Sequence, residues 1–368
     1  MTVPFVDLKL QYLSIKSEID SAIENVIAET AFIGGKYVNE FEKKFAELYG
    51  VKHCISCANG TDSLYIIMKM LGIGEGDEVI TVANSWISSS ETISQTGAKP
   101  VFIDIHPDYY SINEKLIEER ITPRTKAIMP VHLQGQMCEM DAIQALCKKH
   151  NLLLIEDCAQ SHLSEYKSRR AGLMGLVASF SFYPGKNLGA YGDAGCIITN
   201  DDALAEKCKM YARHGALIKH QHKMEGINSR MDGLQAAILS AKLPYLIKWT
   251  AKRISNAAYY HKILSGIDGI IVPAVRPDTV HSYHLYVIRA RQRDSLAKWL
   301  KEKGVETAIH YPVPLPLMEA YQYLHHTEKE FPVSNRYKDE ILSIPLYPEL
   351  TEEQMNYVAE SIQSFYSR

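Results

Sequence analysis

The stretch Ser179-Phe-Ser-Phe-Tyr-Pro-Gly-Lys186-Asn-Leu-Gly-Ala-Tyr-Gly-Asp-Ala-Gly195 places one lysine in a loop of small residues between two apolar runs. Lysine is usually a solvated surface residue, but Lys186 follows an aromatic run and is surrounded by proline and glycine. This setting predicts a partly desolvated amine, and desolvation lowers the pKa of a lysine. A neutral amine of this kind can form a Schiff base with a carbonyl group.

A candidate partner for that lysine follows a second apolar run. The run Leu152-Leu-Leu-Leu-Ile155 predicts a buried parallel strand, and it leads directly into Glu156-Asp-Cys-Ala-Gln160. Ligands bind at the carboxyl ends of strands in open α/β sheets. Together with Lys186, a carboxylate there suits pyridoxal phosphate, because it would keep the pyridine nitrogen protonated and make the ring an electron sink. We predict Asp157 beside that nitrogen and Gln160 near the ring hydroxyl.

Two upstream segments supply the remaining features of such a site. In Cys57-Ala-Asn-Gly-Thr-Asp-Ser63, small polar residues turn into an apolar helical pattern. The backbone N–H groups at the start of that helix are free to bind an anion, and a phosphate fits there. Trp86 follows the predicted strand 78–82, and its indole could stack on a flat cofactor ring.

Each of these residues also has an ordinary structural explanation. A buried aspartate after a strand is often a helix cap or half of an ion pair, and glycine clusters commonly serve turns. Trp86 alone would more often be a core residue, and Thr61 alone an N-cap. Asn228 alone would be a loop residue. Only the joint occurrence of all these groups with Lys186 favours a cofactor site.

Six motifs follow one another along the chain: Asn59-Gly-Thr-Asp62, Glu156-Asp-Cys-Ala-Gln160, Phe180-Ser-Phe-Tyr-Pro-Gly-Lys186, Gly192-Asp-Ala-Gly195, Asn228-Ser-Arg-Met-Asp-Gly-Leu-Gln-Ala-Ala237 and His310-Tyr-Pro312. They closely resemble the motifs of the DegT/DnrJ/EryC1/StrS family of pyridoxal-phosphate-dependent sugar aminotransferases, which have the aspartate-aminotransferase-like fold type I. The resemblance begins at Val3-Pro-Phe-Val-Asp-Leu8 and extends nearly to the C-terminus.

The resemblance implies a role for each matching residue. Lys186 would bond to the cofactor and then carry protons, Asp157 would pair with the pyridine nitrogen, and Gln160 would contact the ring hydroxyl. The remaining implied contacts are stacking by Trp86, phosphate binding by Gly60, Thr61 and Ser181, phosphate binding from a neighbouring subunit by Asn228, and sugar-nucleotide binding by His310 and Tyr311. Sharing Asn228 in this way implies a homodimer.

The implied reaction moves an amino group from an amino acid, L-glutamate in relatives, to a keto group of a nucleotide-linked sugar. The segments around Gly135-Gln136 and Ala212-Arg-His-Gly215 resemble relatives that aminate 3-keto hexoses carried by dTDP or UDP. The product would be an amino sugar, for instance one used in a lipopolysaccharide O-antigen. One alternative is a sugar dehydratase of the same family, in which histidine replaces the lysine, so Lys186 argues against it. Another is a non-catalytic relative that binds a ligand.

Composition narrows the class of protein further. The chain has 368 residues and a formal net charge of −3, so it offers no nucleic-acid or polybasic membrane surface. Seven scattered cysteines suggest reduced thiols. Cys54-Ile-Ser-Cys57 has the CxxC form but no second CxxC pair, and the histidines at 214, 220 and 222 lack regular ligand spacing with a supporting carboxylate, so neither predicts a metal site. The N-terminus does not resemble a signal peptide, and no apolar run approaches about 20 residues. We expect a cytoplasmic enzyme without a metal.

Short apolar runs alternate with helical patterns over residues 34–200, which predicts a mainly parallel α/β sheet. The predicted strands are 52–57, 78–82, 100–104, 127–131, 152–156, 178–182 and 195–199. A helical run, 231–246, follows. The predicted division is a large cofactor-binding domain, 1–248, and a small C-terminal α/β domain, 249–368, with strands 282–288 and 307–310 and a helix 293–303.

Overall fold

A computed structural model describes all residues from 1 to 368. It contains thirteen strands: β1 His53–Cys57, β2 Glu78–Val82, β3 Lys99–Ile103, β4 Thr125–Ile128, β5 Leu153–Asp157, β6 Glu165–Tyr166, β7 Arg169–Arg170, β8 Val177–Ser181, β9 Gly195–Thr199, β10 Ile270–Ile271, β11 Thr279–Val280, β12 Tyr286–Ala290 and β13 Ile341–Ile344. Seven of them form the central sheet in the order β1-β9-β8-β5-β4-β2-β3.

All strands of the central sheet run in one direction except β9, which is antiparallel to both of its neighbours. The predicted mainly parallel α/β sheet is therefore confirmed. Each parallel strand ends at the same edge of the sheet, so the loops that follow β1, β2, β5 and β8 are brought together there.

Twelve helices surround the two sheets that form the body of the fold: α1 Leu8–Ser14, α2 Lys16–Ala28, α3 Gly35–Tyr49, α4 Gly60–Met70, α5 Ser88–Gln95, α6 Met140–His150, α7 Asp202–Tyr211, α8 Gly233–Lys242, α9 Leu246–Leu264, α10 Arg293–Glu302, α11 Pro332–Tyr337 and α12 Glu352–Tyr366. None of these helices has the length and apolarity needed to cross a lipid bilayer.

Helix α3 shows how the sequence builds the core behind the site. Its apolar residues recur at helical spacing, and Phe41 and Phe45 lie one turn apart on the buried face. Phe45 meets the rings of Phe180 and Phe182 edge-on, with ring centroids 5.4 and 5.3 Å apart. The helix ends at Gly50, whose left-handed backbone caps it. This aromatic cluster supports the loop that carries Lys186.

The C-terminal part of the chain forms a second unit around the antiparallel sheet β10-β12-β13. Helices α9, α10 and α12 pack on it, and Val3 from the N-terminus lies in the same apolar core. The predicted domain boundary at 248/249 falls inside α9, which runs unbroken from Leu246 to Leu264. The division into two domains remains a proposal.

Some predicted elements differ from the structure. Residues 307–310 form no strand: only Ala308 pairs with a strand, through hydrogen bonds to Ser343 of β13, before the chain turns into Pro312. The partner strand β13 was not predicted. The run 231–246 is divided at Pro244, because proline has no N–H to continue the α8 hydrogen bonds. The predicted strand 282–288 begins four residues later, as β12.

Candidate active site

A cavity of about 760 Å³ opens where the parallel strands of the central sheet end. Its walls come from the loops after β1, β2, β5 and β8, and its far side comes from residues near β12 and β13. Of the ten residues predicted to form the site, nine line this cavity: Gly60, Thr61, Trp86, Asp157, Gln160, Ser181, Lys186, His310 and Tyr311. The tenth, Asn228, does not.

Lys186 lies in the loop between β8 and β9, and its side chain is partly buried. The loop is tightly closed: the Lys186 N–H donates to the Tyr183 carbonyl at 2.8 Å, and a Cβ at Gly189 would lie 2.2 Å from the Pro184 oxygen. Burial lowers the pKa of Lys186 to about 8, while the carboxylate of Asp157 acts against this shift. The prediction of a desolvated amine therefore agrees with the geometry.

Another lysine, which is fully buried, contacts the same loop. Lys242, at the end of α8, donates its ammonium to the carbonyl of Gly189 at 2.6 Å and lies over the ring of Tyr191. Burial also lowers its pKa to about 8. Lys242 does not line the cavity, so its contacts assign it to the support of the loop.

Asp157 ends β5 and is almost completely buried, with 3% of its surface exposed. Its Oδ1 accepts the Ala159 N–H at 3.1 Å, and its Oδ2 accepts the Ser89 hydroxyl at 2.9 Å. Burial raises the pKa of Asp157, and these two hydrogen bonds and the Lys186 cation act in the opposite direction. A buried carboxylate with so few partners is well placed to bind a cationic group from the cavity.

The side chain of Gln160 is held at both ends. Its Oε1 accepts the Gln134 N–H at 2.7 Å, and its Nε2 donates to the Tyr311 hydroxyl at 2.9 Å. The Tyr311 ring in turn lies 5.9 Å from that of Trp86. Gln160 was predicted to contact the cofactor and Tyr311 the sugar nucleotide, but in the structure the two side chains are hydrogen-bonded to each other in one wall of the cavity.

The start of α4 provides an anion cradle beside the cavity. Asn59 caps this helix through a 2.8 Å bond from the Asp62 N–H, and Gly60 and Thr61 form the first turn. A Cβ at Gly60 would lie 2.7 Å from the Cβ of Ser181, so only glycine leaves this cradle open. Free N–H groups of the turn and nearby hydroxyls are suited to a phosphate.

Trp86 and His310 lie on the more open side of the cavity. Trp86 has 59% of its surface exposed, so it is a wall residue and not part of the core. His310 stacks on Phe5, and its Nδ1 lies 2.8 Å from the Ser343 hydroxyl. Burial lowers the pKa of His310 to about 4, which leaves a neutral imidazole facing the cavity.

Asn228 is exposed in the loop that precedes α8, and its Oδ1 accepts a hydrogen bond from Arg230 at 3.0 Å. Its backbone pairs with that of Arg213. The structure thus places Asn228 outside the cavity of its own chain, and its predicted role in a neighbouring subunit remains a proposal.

The sequence did not single out several cavity residues. The hydroxyls of Ser85, Ser88 and Ser89 line it, as do His284 and Arg253. His284 is hydrogen-bonded to Asn187, the residue after Lys186, at 3.2 Å, and Arg253 donates to the Leu346 carbonyl at 2.8 Å. The only sequence feature that could have indicated any of them is the run of serines after Trp86, which contains Ser88 and Ser89.

The three potential metal-ligating groups that lie close together are His132, Glu156 and Cys158. The Cys138 N–H donates to Nδ1 of His132, so its Nε2 carries the hydrogen that Glu156 accepts at 3.0 Å. Glu156 also accepts backbone N–H groups from the loop that follows β7. These contacts explain His132 and Glu156 as a buried hydrogen-bonded pair, and the backbone of His132 also bonds to that of Asp157. All seven cysteines are buried and free.

The arrangement fits pyridoxal phosphate. The anion cradle of α4 suits its phosphate, the buried carboxylate of Asp157 suits its pyridine nitrogen, and Lys186 supplies the amine for its aldehyde.

Comparison with known proteins extends this assignment. The family model described as the DegT/DnrJ/EryC1/StrS aminotransferase family matches residues 13–363. The chain is 39% identical to the dTDP-3-amino-3,4,6-trideoxy-alpha-D-glucose transaminase of Streptomyces venezuelae, over 100% of this chain and 97% of that protein. It is 41% identical to the UDP-2-acetamido-2-deoxy-3-oxo-D-glucuronate aminotransferase of Pseudomonas aeruginosa, over 98% and 99%.

A relative with a different kind of name is also similar. The chain is 44% identical to the "Pleiotropic regulatory protein" of Geobacillus stearothermophilus, over 100% of this chain and 99% of that protein. Among solved structures, S. venezuelae DesV in complex with a ketimine intermediate superposes with a TM-score of 0.97 at 39% identity, covering 100% of this chain and 99% of DesV.

Proposed function

The chain belongs to the DegT/DnrJ/EryC1/StrS family of pyridoxal-phosphate-dependent sugar aminotransferases, and we propose that it moves the amino group of L-glutamate to the keto group of a dTDP- or UDP-linked 3-keto hexose. The observation that carries this proposal is the partly buried Lys186 in one cavity with the buried carboxylate of Asp157 and the anion cradle of α4. The product would be an amino sugar of a cell-surface glycan such as an O-antigen, made in the cytoplasm.

When bound, pyridoxal phosphate supplies an electron sink for charge that develops on the substrate carbon. Asp157 holds a proton on the pyridine nitrogen, because its buried carboxylate needs a cationic partner. Gly60, Thr61 and Ser181 hold the phosphate, and Gln160 fixes the ring hydroxyl from its anchored position on Gln134.

Lys186 moves the proton that amino transfer requires. Its pKa of about 8 leaves a sizeable neutral fraction near neutral pH, so the amine can act as a base. The closed loop holds Lys186 at the wall of the cavity, where the amino donor and the keto sugar would bind in turn. The same group therefore serves both halves of the transfer.

The sugar nucleotide is assigned to the wall formed by His310 and Tyr311. The imidazole of His310 is neutral, so it can accept a hydrogen bond from a sugar hydroxyl or donate one to it. The hydroxyl of Tyr311 already accepts from Gln160, which leaves its own hydrogen free for a substrate oxygen. The preference for a 3-keto sugar linked to dTDP or UDP rests on the S. venezuelae and P. aeruginosa relatives, whose names specify a 3-amino product and a 3-oxo substrate.

A homodimer with a shared site completes the proposal. Asn228 lies outside the cavity of its own chain and is exposed, as a residue that serves a neighbour must be. A twofold contact would give each subunit the same reciprocal role.

The relative named "Pleiotropic regulatory protein" supports a second candidate, a ligand-binding protein without turnover. A protein that only binds a ligand does not need a buried carboxylate, an anion cradle and a reactive amine in one cavity. Asp157, the cradle of α4 and Lys186 all line the cavity of this chain. Catalysis is therefore the better-supported function.

The test is transfer of nitrogen from ¹⁵N-labelled L-glutamate to a panel of dTDP- and UDP-linked 3-keto and 4-keto hexoses, followed by mass spectrometry. We expect label in a 3-amino sugar with the wild type and none with Lys186→Ala. Lys298→Ala, which changes an exposed lysine of α10, is the matched control and should retain transfer. Binding of a sugar nucleotide without labelled product would instead support the ligand-binding function.

A further inference from the structure

Three consecutive serines begin α5, and each hydroxyl reaches a different part of the fold. Ser88 lies 2.6 Å from the Thr61 hydroxyl at the anion cradle, and Ser89 donates to Asp157 at 2.9 Å. Ser90 accepts a hydrogen bond from Tyr321 at 2.7 Å. All three are buried, with 8%, 1% and 0% of their surfaces exposed. One helical turn thus contacts both ends of the cofactor site.

The hydrogen bonds of Ser89 have a definite direction. A serine hydroxyl has one hydrogen, and an ionised carboxylate only accepts, so Ser89 must donate to Oδ2 of Asp157. Its oxygen lies 2.9 Å from that of Ser85, which must therefore be the donor to Ser89. The result is a buried chain of hydrogen bonds from Ser85 to Ser89 to Asp157. Each hydroxyl points its hydrogen toward the carboxylate and so stabilises its negative charge.

We propose that Ser89 is a positioning residue, oriented by Ser85, that keeps the Asp157 carboxylate ionised and aimed at the pyridine nitrogen of the cofactor. This inference rests on the proposed function. The backbone N–H of Ala159 is the only other group that hydrogen-bonds this carboxylate, and it contacts the opposite oxygen, Oδ1. Without Ser89, Oδ2 would be buried with no protein donor, and the neutral acid would be favoured.

The test is the dissociation constant of two probes from the purified protein after the cofactor has been removed. One probe is pyridoxal phosphate, and the other is its 1-deaza analogue, in which carbon replaces the pyridine nitrogen. The analogue keeps the phosphate and the aldehyde, so it reports every contact except the one made by Asp157. The ratio of the two constants measures that contact alone.

We expect Ser89→Ala to reduce the preference for pyridoxal phosphate about tenfold, as for loss of one hydrogen bond to a charged group. Alanine is a better helix former than serine, so α5 should persist. Ser89→Thr keeps the hydroxyl and should restore most of the preference. Ser90→Ala, which removes the neighbouring bond to Tyr321, is the matched control and should leave the ratio unchanged.

An unchanged ratio in Ser89→Ala, or an equal loss of affinity for both probes, would overturn the inference. If the wild type itself shows no preference for pyridoxal phosphate over the analogue, the role of Asp157 in the proposed function fails as well. The wild-type ratio therefore separates failure of the proposed function from failure of the inference about Ser89.

Discussion

Replacing Glu156 by glutamine should strongly destabilise the protein, although the two side chains have nearly the same shape. Glu156 is fully buried at the end of β5, directly before Asp157. Its Oε2 accepts the His132 ring N–H at 3.0 Å and the Gly172 N–H at 2.9 Å, and its Oε1 accepts backbone N–H groups of Met174 and Gly175. Every partner of the carboxylate is a donor.

A glutamine amide cannot accept at both positions. Whichever way it is turned, its NH₂ group would face two of those donors, and His132 cannot reverse its role because its Nδ1 already accepts the Cys138 N–H. Two hydrogen bonds to a charged group are lost, each worth about 1.5–3 kcal/mol. The free energy of unfolding should therefore fall by about 3–6 kcal/mol, a large share of the typical total of about 5–15 kcal/mol.

The assay is urea-induced unfolding followed by far-ultraviolet circular dichroism. Glu165→Gln is the matched control: Glu165 is partly exposed and its nearest cation, Arg170, is 3.8 Å away, so its change should be below about 1 kcal/mol. A Glu156→Gln protein within about 1 kcal/mol of the wild type would refute the view that these donors are fixed by the fold.

Three further predictions follow from other parts of the structure. Gly60→Ala places a methyl group 2.7 Å from Ser181, so pyridoxal phosphate should bind at least about tenfold more weakly in an equilibrium titration, and unchanged affinity would exclude this cradle as the phosphate site. His162 is buried with neither ring nitrogen hydrogen-bonded, and burial lowers its pKa to about 3. Since the unfolded chain takes up this proton as the pH falls through about 6.5, the wild type should lose about 1.6 kcal/mol of stability between pH 6.5 and 5 from this group. In urea unfolding at both pH values His162→Leu should lack this loss, and equal acid sensitivity of the two proteins would contradict the assignment. Finally, Lys186→Ala and Asn228→Ala should each be inactive alone but regain activity when mixed subunits exchange, because one site of a heterodimer would be intact, whereas no recovery would argue against Asn228 acting in the neighbouring subunit.

The sequence predicted the central sheet well because most of its strands are short runs rich in apolar residues, separated by polar or glycine-containing turns. Strands 78–82 and 195–199 have the predicted bounds, and the others differ by one to three residues at their ends. The C-terminal part of the chain was predicted less well. The strand Ile341–Ile344 has only four residues, and its pairing with residues far away in the chain leaves no local pattern.

The site shows the same contrast between local and distant information. Asp157 lies at the end of one parallel strand, Gly60 begins the helix that follows another, and Lys186 lies in the loop that follows a third, so their position at one edge of the sheet could be predicted from the parallel α/β pattern. Ser89 could not be found in this way, because its partner Asp157 lies 68 residues along the chain and a serine in a helix has no distinctive pattern. Lys242 was likewise hidden in an amphipathic helix.

The most direct test of the central claim is borohydride reduction of the purified protein with pyridoxal phosphate, followed by peptide mass spectrometry. We predict a reduced cofactor adduct on Lys186 that disappears when L-glutamate is added before the reductant and returns with the accepted keto sugar. Lys242 is the other buried lysine whose pKa is lowered to about 8, so it is the internal comparison. An adduct on Lys242 instead, or one on Lys186 that glutamate does not remove, would contradict the account.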